Sequence, residues 1–380
     1  MISTIATGIA CIALPSSKCY AAAGEKPVIT GYVGGYRGRV INMEQIPAKK
    51  LTHINYAFIN VKNNRAILSR ERTDTVNLKN ITSLKIVNPA LKILISIGGW
   101  SWSGNFSDAV LSDTSRQAFA ASAVAILKRF NLDGIDIDWE YPDMNGNGNI
   151  HRKEDKQNYT LMFLELRRQL DIAGQQANKR LLLTTATGGF KDFLNHTEMQ
   201  KAYPALDYIN LMTYDYFGRA TSVHHTNLFS SAGGNTYDSA DKAVKAYMAA
   251  GVPASKLVMG IAFYGRMFQL GNTAMKGLGD STKAHLRMAD YVWIKDSVIN
   301  KKGFTSYQDT AAKAPYLFNN VTKQYITYED EWSVDNKCRY VIANKMAGVM
   351  FWEFDSDPKG YLLDQINLSL QKPKLLTVKP

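Results

Sequence analysis

Eight residues, Asp133-Gly134-Ile135-Asp136-Ile137-Asp138-Trp139-Glu140, put carboxylates at every second position of a run that otherwise reads as a buried strand. Strand side chains alternate between faces, so Asp136, Asp138 and Glu140 are expected on one face, about 6.6 Å apart in succession, with Ile135, Ile137 and Trp139 on the other. At that spacing and an effective dielectric of about 20, two like charges repel by roughly 2.5 kcal/mol. The three carboxylates are therefore not all ionised near neutral pH. A carboxyl kept protonated there is what general acid catalysis requires, and a solvated strand face does not fit the apolar neighbours.

The row needs a large scaffold, and 380 residues with 46% hydrophobic and 21% charged content fit two average domains or one large barrel, folded with a sizeable core. The formal charge of +12 has no Lys/Arg run and no basic-aromatic motif behind it, which excludes nucleic-acid binding as the reading. Residues 1–23 run from an apolar stretch to Ala21-Ala22-Ala23 with one basic and no acidic residue, and read as a secretory signal peptide. Its removal would take Cys11 and Cys19 and leave Cys338 alone, so a secreted chain, extracellular or periplasmic, with no internal disulfide is expected. No continuous apolar run is long enough for a membrane span, and a monomer is expected.

After residue 24, short β-branched or aromatic runs alternate with longer amphipathic ones. Candidate strands are 28–34, 52–60, 91–98, 132–140, 181–187, 206–214, 256–264 and 346–353. Helical patterns cover 115–130 and 156–173, the latter with Gly174 as its stop, and 238–250 with Asp238 at its start. This alternation predicts an α/β fold, a (β/α)8 TIM barrel over 24–375, with an open doubly wound sheet as the alternative. The seventh and eighth strands stand far apart, and the aromatic runs around Tyr316 and Tyr325-Ile326-Thr327-Tyr328 predict a small α+β insertion over 268–338.

In a parallel barrel the chemistry gathers at the carboxyl ends of the strands. There the sequence places Tyr32, Tyr56 and Phe58, the run Ser96-Ile97-Gly98-Gly99-Trp100, the run Met212-Thr213-Tyr214-Asp215-Tyr216, Tyr264-Gly265-Arg266 and Phe351-Trp352-Glu353. Paired glycines allow a ligand or a neighbouring backbone to come close. Aromatic platforms beside acids, with no phosphate-cradling loop and no metal-spaced His cluster, suit a carbohydrate whose ring faces need stacking and whose acetal needs a proton.

These residues carry a resemblance to glycoside hydrolase family 18, the chitinase family. It rests on Asp133, Asp136, Asp138 and Glu140 in the D-x-x-D-x-D-x-E pattern, Ser96-Ile97-Gly98-Gly99, Met212-Thr213-Tyr214-Asp215, Tyr264-Gly265-Arg266 and Trp352. The resemblance implies the barrel, with an α+β insertion between strands seven and eight that walls a substrate cleft. It implies cleavage of chitin or chitooligosaccharides by a retaining, substrate-assisted mechanism through an oxazolinium ion, without a cofactor. Glu140 would be the general acid, Asp138 the partner of the substrate's N-acetyl group, and Asp136 would share a proton with Asp138. Tyr214 and Asp215 would position the acetamido group, and Met212 would pack near its methyl. Trp352 would floor the distorted sugar and Arg266 would hold a neighbouring one, with Tyr32, Phe58, Gly98, Gly99, Trp100 and Tyr264 as further substrate contacts. The family also holds lectins, which typically lack the terminal acid present here as Glu140, and endo-β-N-acetylglucosaminidases acting on N-glycans.

Two departures stand out. Tyr216-Phe217-Gly218-Arg219-Ala220 replaces a run that leads many chitinases to a Trp beneath the leaving-group sugars. Residues 143–154 match a twelve-residue calcium loop through Asp143, Asn145, Asn147, Asn149 and Glu154. Only Asp143 and Glu154 supply charge there, Arg152 and Lys153 oppose it, and a strand precedes the loop, so a polar turn is the favoured expectation and no metal is assigned.

Overall fold

The computed structural model describes residues 26–371 apart from 219, 232–237 and 272. The leader expected over 1–23, with Cys11 and Cys19, lies outside the described residues. Fourteen strands are present among the described residues: β1 (Val28–Gly34), β2 (His53–Lys62), β3 (Arg65–Ile67), β4 (Lys92–Gly98), β5 (Gly134–Asp138), β6 (Leu182–Gly188), β7 (Tyr208–Met212), β8 (Leu257–Ala262), β9 (Tyr264–Leu270), β10 (Thr282–Asp290), β11 (Phe304–Asp309), β12 (Ala314–Asn319), β13 (Gln324–Thr327) and β14 (Gly348–Trp352). Strands β1, β2, β4, β5, β6, β7, β8 and β14 pair in parallel, and the β1–β2 and β1–β14 pairings close them into a barrel. This is the (β/α)8 barrel, with β3 an antiparallel hairpin partner at the end of β2.

Alternation along each strand builds two apolar layers. Ile93, Ile95, Ile97, Ile135, Ile137, Leu183, Ile209 and Leu211 face outward into one continuous core with the helices. Each fully buried side chain of this kind is worth about 1.5–3 kcal/mol, which is why the outer layer carries the fold. The interior has a smaller cluster of Val28, Tyr32, Ala57, Phe58, Val258 and Met350, with Met212, Tyr214 and Trp352 packed on it. Inside β5 the alternation holds: Ile135 and Ile137 point out, whereas the buried Asp136 and Asp138 take the other face.

Three sequence expectations are corrected. Strand β5 ends at Asp138, not Glu140: the Gly99 N–H takes the Asp138 carbonyl (2.7 Å) as the last rung of the ladder, and beyond it the Glu140 N–H goes to the Ser103 hydroxyl (2.9 Å). Gly174 does not stop its helix, which runs Asp155–Gln176. A Cβ there would lie 2.5 Å from the Lys179 carbonyl oxygen, so the glycine admits the returning chain. The cap of the helix Ala240–Ala249 is Ser239, whose hydroxyl accepts the Lys242 N–H, and not Asp238.

Between β8 and β14 the chain builds a second, antiparallel sheet in the order β10-β9-β13-β12-β11. Tyr316 lies on β12 and Tyr325 on β13, as their aromatic runs predict. Met267, Leu317, Ile326 and Tyr328 join the barrel's own core, while Leu270, Phe318 and Tyr325 form a separate apolar cluster. Strand β9 starts only two residues after β8, so one polypeptide turn carries the barrel rim into this sheet.

Gly98 is where backbone geometry tolerates least change. Its φ is +110°, and a Cβ would sit 2.2 Å from the Asp138 carbonyl oxygen and 2.7 Å from the Phe106 ring. Neither backbone nor a packed ring yields cheaply. Gly98→Ala is therefore expected to lower unfolding free energy by about 2–5 kcal/mol, read as a lower urea midpoint at unchanged slope. A variant as stable as the parent would show that this close approach relaxes freely.

Candidate active site

Parallel register assembles the site. Asp136 on β5 is level with Ser96 on β4 and Thr184 on β6, so their side chains meet inside the barrel. Ser96 and Thr184 donate to its two oxygens at 2.7 and 2.5 Å, and Tyr32 and Asn210 add donors at 2.9 and 3.2 Å. Burial pushes the Asp136 carboxyl up, and the four hydrogen bonds pull against that rise. None of its hydrogen bonds goes to Asp138. Tyr32, expected as a substrate contact, gives its hydroxyl to Asp136 and packs against Trp352, ring centroids 5.8 Å apart.

Asp138 sits one step nearer the mouth and is buried, with its Oδ1 lacking any hydrogen-bond partner. Burial, then the charges of Glu140 and Asp136, hold its carboxyl well above the usual range. Glu140 lies past the strand end, so ladder alternation does not place it; its N–H donates to Ser103 Oγ at 2.9 Å instead. Burial pushes the Glu140 carboxyl up to about 8, against a hydrogen bond from Tyr141 and with the Asp215 charge adding to the rise. One carboxyl of the row is thus an acid at neutral pH.

Around the row, Trp352 stacks on Phe58 (5.4 Å, 18°) and Tyr36 (6.0 Å, 17°), giving a layered floor. Phe58 supports Trp352 from behind, and a Cβ on Gly99 would lie 2.6 Å from the Phe58 ring. Gly98 and Gly99 therefore make room for protein, the first for backbone and the second for a ring. Glu353 anchors the floor through Tyr36 Oη (2.7 Å) and the Arg37 guanidinium. Tyr214 is edge-on to Tyr264 at 6.1 Å, its hydroxyl reaching Met350 Sδ at 3.8 Å, and Met212 packs in the same interior cluster. Asp215 accepts from Tyr264 Oη (2.7 Å) and Arg266 Nε (2.8 Å), and its second oxygen meets Arg266 Nη2 at 2.6 Å. Burial would raise Asp215, but His225 and Arg266 together hold it well below the carboxylate range. Trp100 stands on the rim, 51% exposed and edge-on to Tyr141 at 6.5 Å.

A family model described as "Glycosyl hydrolases family 18" matches residues 28–357. The chain belongs to glycoside hydrolase family 18. "Chitinase A1" of Niallia circulans is 35% identical over 92% of this family 18 chain, which spans 59% of that protein's length. "Endochitinase 1" of Metarhizium robertsii is 33% identical over 86% of this chain and 80% of its own. Among solved structures, a family 18 N-acetylglucosaminidase from Paenibacillus barengoltzii superposes with a TM-score of 0.84 at 39% identity, covering 90% of this chain and 99% of that one.

The family 18 chain brings Asp136, Asp138, Glu140, Met212, Tyr214, Asp215, Tyr264, Arg266 and Trp352 to one end of the barrel, but not the calcium-loop residues to one point. Asn145, Asn147 and Glu154 are exposed, Asp143 pairs with His196 at 2.8 Å, and Asn149 donates to the carbonyls of Tyr141 and Met144, both at 3.1 Å. Asp155, outside the pattern's charged pair, ties the loop by accepting from Ser107 (2.6 Å) and the Arg152 N–H (2.7 Å). The segment is a polar turn bracing the residue after Glu140. Sequence reasoning missed Tyr36, Ser103, Tyr141, Thr184, Asn210 and His225. Of these, Thr184 and Asn210 had a signal: polar residues at inward positions of barrel strands.

Proposed function

We propose that this family 18 chain cleaves β-1,4-linked N-acetylglucosamine chains with retention, the substrate's acetamido oxygen acting as nucleophile. The observation that carries the reading is Asp138: a buried carboxyl oxygen with no protein partner, next to an acid, is the acceptor an acetamide N–H needs. Glu140 protonates the leaving oxygen and then activates water, while Asp136, held by four donors, sets the charge behind Asp138. Tyr214 and Asp215 position the acetamido group with Met212 near its methyl, Trp352 floors the sugar, Arg266 holds the next one, and the second sheet walls the cleft. Names of the relatives agree: chitinase for several, and N-acetylglucosaminidase for the Paenibacillus protein, which favours release of single sugars as a second reading of the same chemistry. Export through residues 1–23 belongs to the proposal, and no helix among the described residues is long and apolar enough to cross a membrane.

Chitin oligosaccharides and a high-mannose glycoprotein, incubated with the protein and analysed by mass spectrometry, test it. Short N-acetylated oligomers are the expected products, and monomers alone select the second reading. Release of intact N-glycans, or oligosaccharides left unchanged by the native protein, overturns the proposal.

The acid also sets a pH limit. Glu140 must carry its proton, and it keeps it up to about pH 8. Hence kcat/KM is expected to hold below that value and to fall tenfold per unit above it. A profile flat to pH 10 would remove Glu140 as the acid.

A further inference from the structure

His225 is a fully buried histidine that the mechanism above does not use. Neither ring nitrogen has a hydrogen-bond partner, yet Nδ1 lies 3.6 Å from Asp215 Oδ1. The ring rests against Tyr264 with centroids 5.3 Å apart. Its backbone is clamped from both sides: the N–H donates to Thr327 Oγ1 on β13 (3.0 Å), and the carbonyl accepts the Tyr216 N–H beside the catalytic loop (3.1 Å). The next residue continues the tie, Thr226 donating to Glu329 Oε1 (2.7 Å) with its Oγ1 also 3.2 Å from the Thr213 carbonyl oxygen, and the buried Lys337 is paired to Glu329. The charged and titratable groups around the imidazole are Asp215, Arg266, Tyr264 and Glu329.

Burial disfavours the imidazolium, so the ring carries one N–H. A carboxylate facing Nδ1 selects the tautomer with the proton there, since a lone pair at Nδ1 would repel Asp215. We propose that His225 is a positioning residue: it holds its Nδ1–H toward Asp215, so that the second sheet, through Thr327, sets where that carboxylate stands and helps keep it ionised. The inference rests on the family 18 reaction proposed above for its kinetic consequence, but not for its structural one.

Two measurements on the full chain separate these. In 15N-histidine NMR, with the signal assigned by its loss in His225→Phe or His225→Gln, His225 is expected as the neutral Nδ1–H tautomer, and Asp215→Asn is expected to shift it. The Nε2–H tautomer, or a signal indifferent to Asp215→Asn, overturns the proposal whether or not any oligosaccharide is cleaved. In kinetics on chitooligosaccharides, His225→Phe keeps a ring against Tyr264 and removes the donor. It should lower kcat roughly 10–100-fold with KM within about threefold, as misplacement of a catalytic group does. His225→Gln, which can donate again, should recover kcat to within about threefold of the parent. Parental kcat in His225→Phe would overturn the positioning role. A native protein that cleaves no N-acetylated oligomer would instead overturn the proposed reaction and leave the NMR result to decide this inference.

Discussion

Glu140→Gln is expected to abolish most turnover and at the same time to stabilise the fold at alkaline pH. The amide keeps the shape of the acid but cannot give up a proton, so kcat on chitooligosaccharides should drop by roughly 10²–10⁴ with binding retained. The stability change follows from the same burial. In the folded chain the Glu140 carboxyl titrates near 8, against 4.5 for a free side chain. Between those values the unfolded chain has released the proton and the folded chain still holds it. Stability contributed by this group is therefore full below about pH 4.5, declines as pH rises, and is lost above about 8. A shift of this size is worth at most about 5 kcal/mol. Glu140 is half-buried and screened, and its titration is shared with Asp138, so the gain for Gln at pH 9 is about 1–3 kcal/mol. Urea unfolding at pH 5 and pH 9 reads the difference directly: near-equal midpoints at pH 5, the variant higher at pH 9. A variant both inactive and destabilised at pH 9 would mean that Gln disturbs the site, and the loss of turnover could not then be assigned to the missing proton.

How far the chain announces this site depends on the kind of contact involved. Barrel strands were legible because runs such as Leu91 to Gly98 are β-branched and bounded by turn residues. The rim residues Tyr214 and Trp352 were legible because they end such runs, whereas Arg266 lies inside β9 of the second sheet. The surroundings of Asp136 were not. Tyr32, Ser96, Thr184 and Asn210 come from four other strands, and they meet only because the register sets Ser96, Asp136 and Thr184 level. Nothing local in those strands encodes that register. Alternation alone does not fix Glu140: the strand stops at Asp138, and a hydroxyl from another loop, Ser103, holds the Glu140 N–H, while the Glu140 charge still bears on Asp138. The loop at 143–154 shows the opposite failure. Its ligand pattern is present, but Asn149 donates to the carbonyls of Tyr141 and Met144 and accepts the Gly146 N–H, and Asp143 meets His196.

Asp138→Asn separates orientation from binding in the proposed reaction, and its expected effect falls on kcat. The buried carboxyl is held well above its usual range by burial and by the charges of Glu140 and Asp136, which favours its protonated form. A neutral acid and an amide present similar shapes to a bound acetamide, and ground-state affinity should change little. The two part when the acetamido oxygen attacks. Positive charge then grows on the acetamide nitrogen, and in the proposed reaction the Asp138 carboxyl passes its proton to Asp136 behind it and becomes an anion facing that N–H, whereas an amide stays neutral. Loss of one preorganised charge partner of this kind costs about 10²–10³ in rate. The expected result is a kcat lower by that factor, KM within about threefold, and an alkaline limb that persists because Glu140 is untouched. If KM rises instead while kcat is kept, Asp138 is a ground-state contact and the acetamide does not depend on it as nucleophile. If the alkaline limb disappears with Asp138, the proton that matters belongs to Asp138 and Glu140 as a coupled pair, and the acid cannot be assigned to Glu140 alone.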